Sequence, residues 1–313
     1  PLIGAAGYSG LMVWHGGLSG SAPIKVAENG HLLQLLEGTK VNPQYIPDMV
    51  SLSDTIFSNM NILISFSLIV FIPLGLYFIG KKNQGELVNI SSKISEEKST
   101  KISGAEKLDH SKIIPYFLSL IILGYCLYKL FYLSGNSILS VINPNFINLF
   151  LLGLTILLHG NFYNFIKSIN SAIHGASGIL IQFPLYFGIM GVMKDSGMVS
   201  ILSEFFVSIS NDTTFPIFTF MSAGIVNIFV PSGGGQWAIQ GPIIMEAASS
   251  LGVTFTKSIM ALAYGDQLTN MLQPFWALPL LGITGLKAKE ILPYTLYLFV
   301  MGIIIFIGGL LFF

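Results

Sequence analysis

Arginine is absent from all 313 residues, and the 15 basic side chains are all lysines. A carboxylate ligand therefore cannot meet the guanidinium fork that usually captures it. Lysine, helix N-termini, backbone N–H groups and neutral side chains remain to hold one. Cysteine is nearly absent too. Its one copy, Cys126, lies in an apolar run, which excludes an intrachain disulfide and a Cys-based metal site. Charge is scarce, at 10% of residues against about 25% in an ordinary soluble domain. The net charge of zero argues against nucleic acid as a partner. No GxxxxGK[ST] run occurs, so ATP is not a direct energy source. What the chain has in quantity is apolar, 52% of its residues, and that places it in the polytopic membrane class.

Uncharged runs near the roughly 20 residues needed to cross a bilayer recur throughout. They are Thr55–Gly80, Ile113–Leu133 (where Lys129 is near enough to the end to snorkel), Phe146–Ile166, Ser168–Met193, Phe215–Pro231 and Ile291–Phe313. Pro1–Ile24 and Ser258–Leu286 are apolar but interrupted by Gly, Pro and polar residues, and read as broken or re-entrant. Lys81–Lys112 holds seven of the 15 lysines and five acids, so it reads as a cytoplasmic polar linker. Three parts are expected: 1–80 as the C-terminal part of a first membrane repeat, the linker 81–112, and 113–313 as a second repeat. Met198–Ile209 reads as an interfacial amphipathic helix or a plain loop helix.

The stretch Pro231-Ser232-Gly233-Gly234-Gly235-Gln236-Trp237-Ala238-Ile239-Gln240-Gly241-Pro242 interrupts this apolar pattern. Gly costs about 1 kcal/mol and Pro about 3 against Ala in a helix, so Pro231–Gly235 is expected to break one. Irregular backbone at membrane depth is tolerated only where protein or a wet cavity surrounds it, and carriers place their binding sites at such breaks. A polar stripe follows, and a similar pair of parts occurs earlier. Gly16–Pro23 precedes Asp54, Ser58 and Asn61, whose i, i+4, i+7 spacing matches Asp266, Asn270 and Gln273. A one-residue shift instead aligns Ser58-Asn59-Met60 with Thr269-Asn270-Met271, and the sequence does not choose between the registers.

Pro231–Pro242, Ala263-Tyr264-Gly265-Asp266, Gln273-Pro274-Phe275-Trp276-Ala277-Leu278-Pro279-Leu280 and Trp14–Pro23 together resemble the bacterial short-chain fatty acid transporter family, from Pro1 to Phe313. The family itself looks related to the larger ion transporter superfamily. The resemblance implies an all-α polytopic membrane protein, an inverted-repeat secondary transporter with re-entrant Gly-rich hairpins and broken helices. It also implies membrane segments upstream of Pro1, a location in the bacterial inner membrane, and transport of acetoacetate- or butyrate-type monocarboxylates coupled to H⁺ or Na⁺. Dicarboxylates or other organic anions are the alternative cargo. The implied partners are the fatty acid anion, the coupling ion, the bilayer and, as an open option, a second copy in a homodimer. No cofactor is implied.

On this reading Ser232, Gly233, Gly234, Gly235 and Gln236 seat the carboxylate, since successive N–H groups and a helix N-terminus attract an anion. Trp237 and Trp276 would wall the alkyl chain, with Gln240, Gln273, Ser19 and Ser21 contributing polar contacts. Asp266, with Asn270, Asp54, Ser58 and Asn59, would serve the coupling ion. Asp266 is the only charge in the 29 residues between Lys257 and Lys287, and a lone intramembrane acid faces a cavity, a cation or a proton path. Plainer readings stand beside these: Asp266 at a helix end, Asp54 as an N-cap, the amides as interhelical glue, the Trp residues in an interfacial belt. His15 and His174 read as helix-packing residues. An intramembrane enzyme and a channel are further alternatives, without a catalytic signature or a ring of charges to support them.

Overall fold

The computed structural model describes residues 1–82, 103–133, 144–273 and 275–313, without the side chains of 144, 174, 175 and 177–179. Most of the linker, the Leu133–Asn145 loop, Pro274 and the His174 side chain thus lie outside the described residues. Those described form helices and turns with no strand, and the chain is an all-α membrane protein. It divides into two units, 1–90 with 177–313, and 91–176.

In the first unit the chain opens with α1 (Leu2–Tyr8), a 3-10 turn (Ser9–Met12), and short helices α2 (Ala22–Lys25) and α3 (His31–Leu35). Helix α4 (Asn59–Lys82) is long and apolar enough to cross a membrane. It starts four residues later than the apolar run suggests, because Ser58 is its cap: Ser58 Oγ accepts from Asn61 N at 3.2 Å. Asp54, exposed four residues upstream, is not the cap.

The second unit holds α5 (Glu106–Asp109), the apolar helix α6 (Ile113–Phe131), α7 (Pro144–His159) and the start of α8 (Phe162–Asp195). Phe146–Ile166 and Ser168–Met193 do not each coincide with one helix. The chain turns at Gly160, whose φ of 71° is open to glycine at little cost, and α8 runs on through both sides of the expected boundary. Segments Asn145–His159 and Phe162–Ile173 are bent by 119°.

Back in the first unit follow α9 (Met198–Ser208), α10 (Phe215–Phe229), α11 (Gly233–Leu251), α12 (Phe255–Thr269), a 3-10 turn (Asn270–Leu272), α13 (Leu278–Thr284) and the membrane-length α14 (Ala288–Phe312). Two breaks matter for the site. One is at Val230–Ser232, where Ser232 is extended (φ −151°) and its Oγ accepts from Gly235 N. Gly233–Gly235 are not part of the irregular stretch, contrary to expectation: they form the first turn of α11. The other break is at Asn270–Gln273. Gly265 does not break α12, which continues through it to Thr269.

Helix α12 is buried on every side from Ser258 to Thr269, as a helix apolar nearly all round should be. It lies along α10 and also contacts α11, α2 and α14. One core joins α4, α12 and α14 through Ile64, Leu68, Met260, Leu268, Leu298 and Phe306. A second joins the 22–50 segment to α10, α11 and α12 through Val26, Leu32, Phe215, Trp237 and Ile244. Large side chains such as Phe66, Ile69, Val300 and Ile304 point outward from α4 and α14, as a lipid-facing surface requires.

The crossing of α10 and α12 admits no side chain at Gly265. A Cβ there would meet the Phe220 carbonyl oxygen and lie 2.9 Å from the Ala223 Cβ. Gly265→Ala is therefore expected to destabilise the protein by about 3 kcal/mol, the upper range of overpacking. Gly188→Ala, in α8 with nothing within 4 Å of the added Cβ, should not. Thermal unfolding of the full-length protein in detergent checks this, and equal midpoints for the two variants would contradict the close crossing.

Candidate functional site

The two Gly-rich elements and the lone acid come together in one place. Trp14–Ser21 forms a tight loop in which a Cβ on Gly20 would strike the His15 carbonyl oxygen. This loop presents His15, fully buried, to α12. The His15 Nδ1 contacts Asp266 Oδ2, and its Nε2 accepts from Ala22 N at 3.1 Å. The imidazole also stacks on Trp14, with ring centroids 4.7 Å apart. Gln267, the next residue on α12, holds the loop itself: its Oε1 accepts from His15 N (3.0 Å) and Gly16 N (2.9 Å). Asn61 of α4 donates from Nδ2 to Gly16 O (2.8 Å) and accepts from Tyr264 Oη (3.0 Å). The loop backbone, which could not remain unpaired in an apolar layer, thereby finds partners in two side chains, Gln267 and Asn61.

The first turn of α11 sits against the same pair. A Cβ on Gly233 would lie 2.9 Å from His15 Cε1 and 2.7 Å from Trp14 Cη2, and Gly234 faces Ser21 with its Oγ 3.7 Å away. Glycine is required at 233 for this approach. That explains how a costly run of glycines opens a helix here: the run lets the helix N-terminus reach the loop.

On the other side, Asn227 of α10 donates from Nδ2 to Asp266 O (2.7 Å), Thr269 Oγ1 (2.9 Å) and Asn270 Oδ1 (3.2 Å). The unwound end of α12 is held further by Gln273 Nε2 to Asn227 O (3.0 Å), and by Tyr8 Oη donating to the Asn270 and Gln273 carbonyls. Within this polar interior, Asp266 Oδ1, Asn227 Oδ1, Gln236 Oε1, Gln273 Oε1, Asn270 Nδ2 and Trp14 Nε1 are buried without a hydrogen-bond partner. Buried polar atoms without a protein partner are uncommon, and each calls for an explanation.

The sequence-derived residues divide accordingly. Ser232, Gly233, Gly234 and Gly235 at the start of α11, Ser21 opposite them, and Asp266, Asn270 and Gln273 belong to this centre. Gln236 and Gln240 turn toward α10 instead: Gln236 Nε2 donates to Ala223 O and Gln240 Oε1, and Gln240 Nε2 to Ser222 Oγ. Their observed bonds are those of interhelical glue. Trp237 is buried, its Nε1 donating to His31 Nε2 at 3.0 Å. Trp276 is partly exposed and packs on Phe275 and Phe183. Ser19 is exposed and bonds the Trp14 carbonyl within its own loop. Asp54 and Asn59 are exposed and Ser58 half-buried, so the first-half stripe is not gathered on one helix face, and only its Asn61 reaches the centre.

His15, Gln267, Asn227, Tyr264, Tyr8 and His31 were not singled out as site residues. No local spacing could have paired His15 with Asp266, since 251 positions separate them. A signal did exist for Asn227, which is the only amide in the otherwise apolar α10.

The His31–Trp237 bond requires an unprotonated Nε2. Burial pushes the His31 imidazole below its ordinary value of 6.5, with Glu28 opposing and Lys25 adding to the push. The folded protein thus binds fewer protons at this ring than the unfolded chain, so the contact loses stability as pH falls through and below 6.5. Limited proteolysis of segment 26–50 is expected to accelerate between pH 7.5 and 5 in the parent and to change much less in His31→Gln, which keeps an acceptor that does not titrate. Equal acid sensitivity in both would contradict this role for the bond.

Comparison with known proteins follows the same lines. A family described as short chain fatty acid transporter matches residues 1–313. A protein of Haemophilus influenzae is 38% identical over 318 residues, covering 99% of this chain and 69% of its own. One of Escherichia coli K12 is 36% identical over 318 residues, covering 99% and 68%. Both are named "putative short-chain fatty acid transporter". No solved structure matches the chain. The family is one of transport proteins and not of enzymes, and on its full-length match and these two relatives the chain belongs to the short chain fatty acid transporter family.

Proposed function

We propose that the protein is a multi-pass secondary carrier of the bacterial inner membrane, taking short-chain monocarboxylates such as acetoacetate or butyrate with H⁺ or Na⁺. The observation that carries this reading is the start of α11. There a helix of 19 residues begins after an extended Ser232 whose Oγ caps the Gly235 N–H, and the glycines at 233 and 234 carry no side chain of their own over the preceding N–H groups. A helix N-terminus attracts a carboxylate through its unpaired N–H groups and its dipole, which meets the need set by the absence of arginine. Ser21 and Ser232 border this seat. Asp266 serves the coupling ion from beneath it. The relatives' names supply the substrate class, and the same proposal takes 1–80 as the C-terminal part of a first repeat and 113–313 as a second, inverted one, about linker 81–112.

Uptake of labelled butyrate by proteoliposomes holding the complete protein is expected to exceed that of protein-free liposomes under a proton or sodium gradient. Gly234→Val, whose Cβ would meet nothing closer than Ser21 Oγ at 3.7 Å, should fold and lose at least about tenfold in uptake because the backbone seat is covered. No excess uptake under either gradient contradicts the function. Undiminished uptake by Gly234→Val contradicts the seat, and stronger competition by succinate than by acetoacetate favours a dicarboxylate cargo.

A further inference from the structure

His15 and Asp266 form a contact that joins the N-terminal loop, α12 and the first turn of α11, and its hydrogen-bonding pattern bears on what it carries. Nε2 of His15 accepts from the Ala22 N–H, so that nitrogen holds a lone pair. The ring hydrogen of a neutral imidazole is then on Nδ1 and is donated to Asp266 Oδ2. The same bond to Ala22 disfavours an imidazolium, which would need a hydrogen on both nitrogens. With Asp266 as a carboxylate, the pair would hold one buried negative charge and the histidine none.

The second carboxylate oxygen, Asp266 Oδ1, is buried without a partner, on a side chain only 1% exposed. Asn227 Oδ1 and Gln273 Oε1, on residues bonded to the same end of α12, are further buried acceptors without donors. Asn270 Nδ2 and Trp14 Nε1 are unpartnered donors in the same centre, so these unpartnered acceptors outnumber them by one. Among the described residues no lysine lies beside the pair to balance the charge. On α12 itself Tyr264 donates its hydroxyl to Asn61, and Tyr8 of α1 donates to the carbonyls of the unwound end. Helices α10 and α11 bring amides, hydroxyls and glycines to this region. From α2 comes the Ala22 N–H, while Lys25 lies exposed and paired with Glu28.

Resting on the carrier reading above, we propose that the coupling ion is a proton, held on the Asp266 carboxyl with His15 as its positioning partner. A proton arriving at Oδ1 converts carboxylate to carboxylic acid, supplies an O–H donor where acceptors are in excess, and leaves the Nδ1–H to Oδ2 bond in place. Its departure reverses the step, and nothing else changes charge. Coupling follows from position. His15 Cε1 lies directly against Gly233, the first residue of the proposed anion seat. An anion there meets a buried negative charge through a medium of low dielectric, where repulsion between unit charges is strong. Protonation removes that repulsion, so proton and anion bind together, each raising the other's affinity by the same factor. Proton and anion together add no net charge, so the centre carries the same single negative charge loaded and empty.

Butyrate binding to the full-length protein in detergent tests this, over a pH range in which butyrate itself stays ionised. Affinity is expected to fall about tenfold per pH unit once the pair has lost its proton. One proton should be taken up from a weakly buffered medium per butyrate bound, with no dependence on Na⁺. Asp266→Asn, isosteric and permanently neutral, should bind butyrate with an affinity that varies less than about twofold with pH, and without proton uptake. Binding by the parent without proton uptake, or only with Na⁺ present, overturns the proton assignment and leaves the seat standing. A pH profile that persists in Asp266→Asn also overturns it. No butyrate binding at any pH overturns the seat, and this inference with it. Should Asp266→Asn fail to fold, the parent's proton stoichiometry decides alone.

Discussion

A carboxylate on a helix buried on all sides is the constraint around which this structure is arranged. Helix α12 has no solvent-facing side between Ser258 and Thr269, so Asp266 cannot turn away to water. A buried acid costs several kcal/mol unless its oxygens find partners. The chain meets that demand with His15, from a loop 251 residues distant. Once His15 is committed, its loop must lie against α12, and Gln267 and Asn61 must satisfy the loop backbone. The polar network is thus a consequence of one charge in an apolar layer, and removing any member leaves others unpaired.

Glycine makes the arrangement sterically possible. Gly265 lets α10 cross α12 at backbone contact, which brings Asn227 within 2.7 Å of the Asp266 carbonyl. Gly233 lets α11 begin on the His15 ring, and Gly20 lets the loop fold back on the His15 carbonyl. These residues act by the absence of a Cβ more than by backbone freedom, because none of the three has positive φ. Two broken elements and the acid between them form one unit, and a ligand at the start of α11 would be felt by the pair beneath it.

Much of this was legible in the sequence and part of it was not. The apolar runs gave the membrane class and the long helices α4, α6 and α14, because length and hydropathy are local properties. The isolation of Asp266 between Lys257 and Lys287 singled it out, and the structure places it buried against His15. The i, i+4, i+7 argument failed for Asp54 and Ser58 because a helix start at Asn59 depends on one capping bond, which a spacing rule does not register. Gly-rich Pro231–Gly235 read as irregular because propensity cannot see that a neighbouring loop demands glycine there. His15 was passed over for the same reason: its partner lies at the other end of the chain, and only tertiary packing brings them together. Amides were ambiguous throughout, and geometry divides them, sending Gln236 and Gln240 to α10 and Asn270 and Gln273 to the centre.

The claim that the His15–Asp266 pair organises the site is a claim about coupling energy. A double-mutant cycle with His15→Phe, Asp266→Leu and the double variant measures it by denaturant unfolding of the full-length protein in bicelles. Each single change strands the other partner in an apolar interior, so the double variant should be less destabilised than the sum of the two singles, by at least about 2 kcal/mol. Effects that add to within about 0.5 kcal/mol would show that the two residues act independently, and would contradict the account.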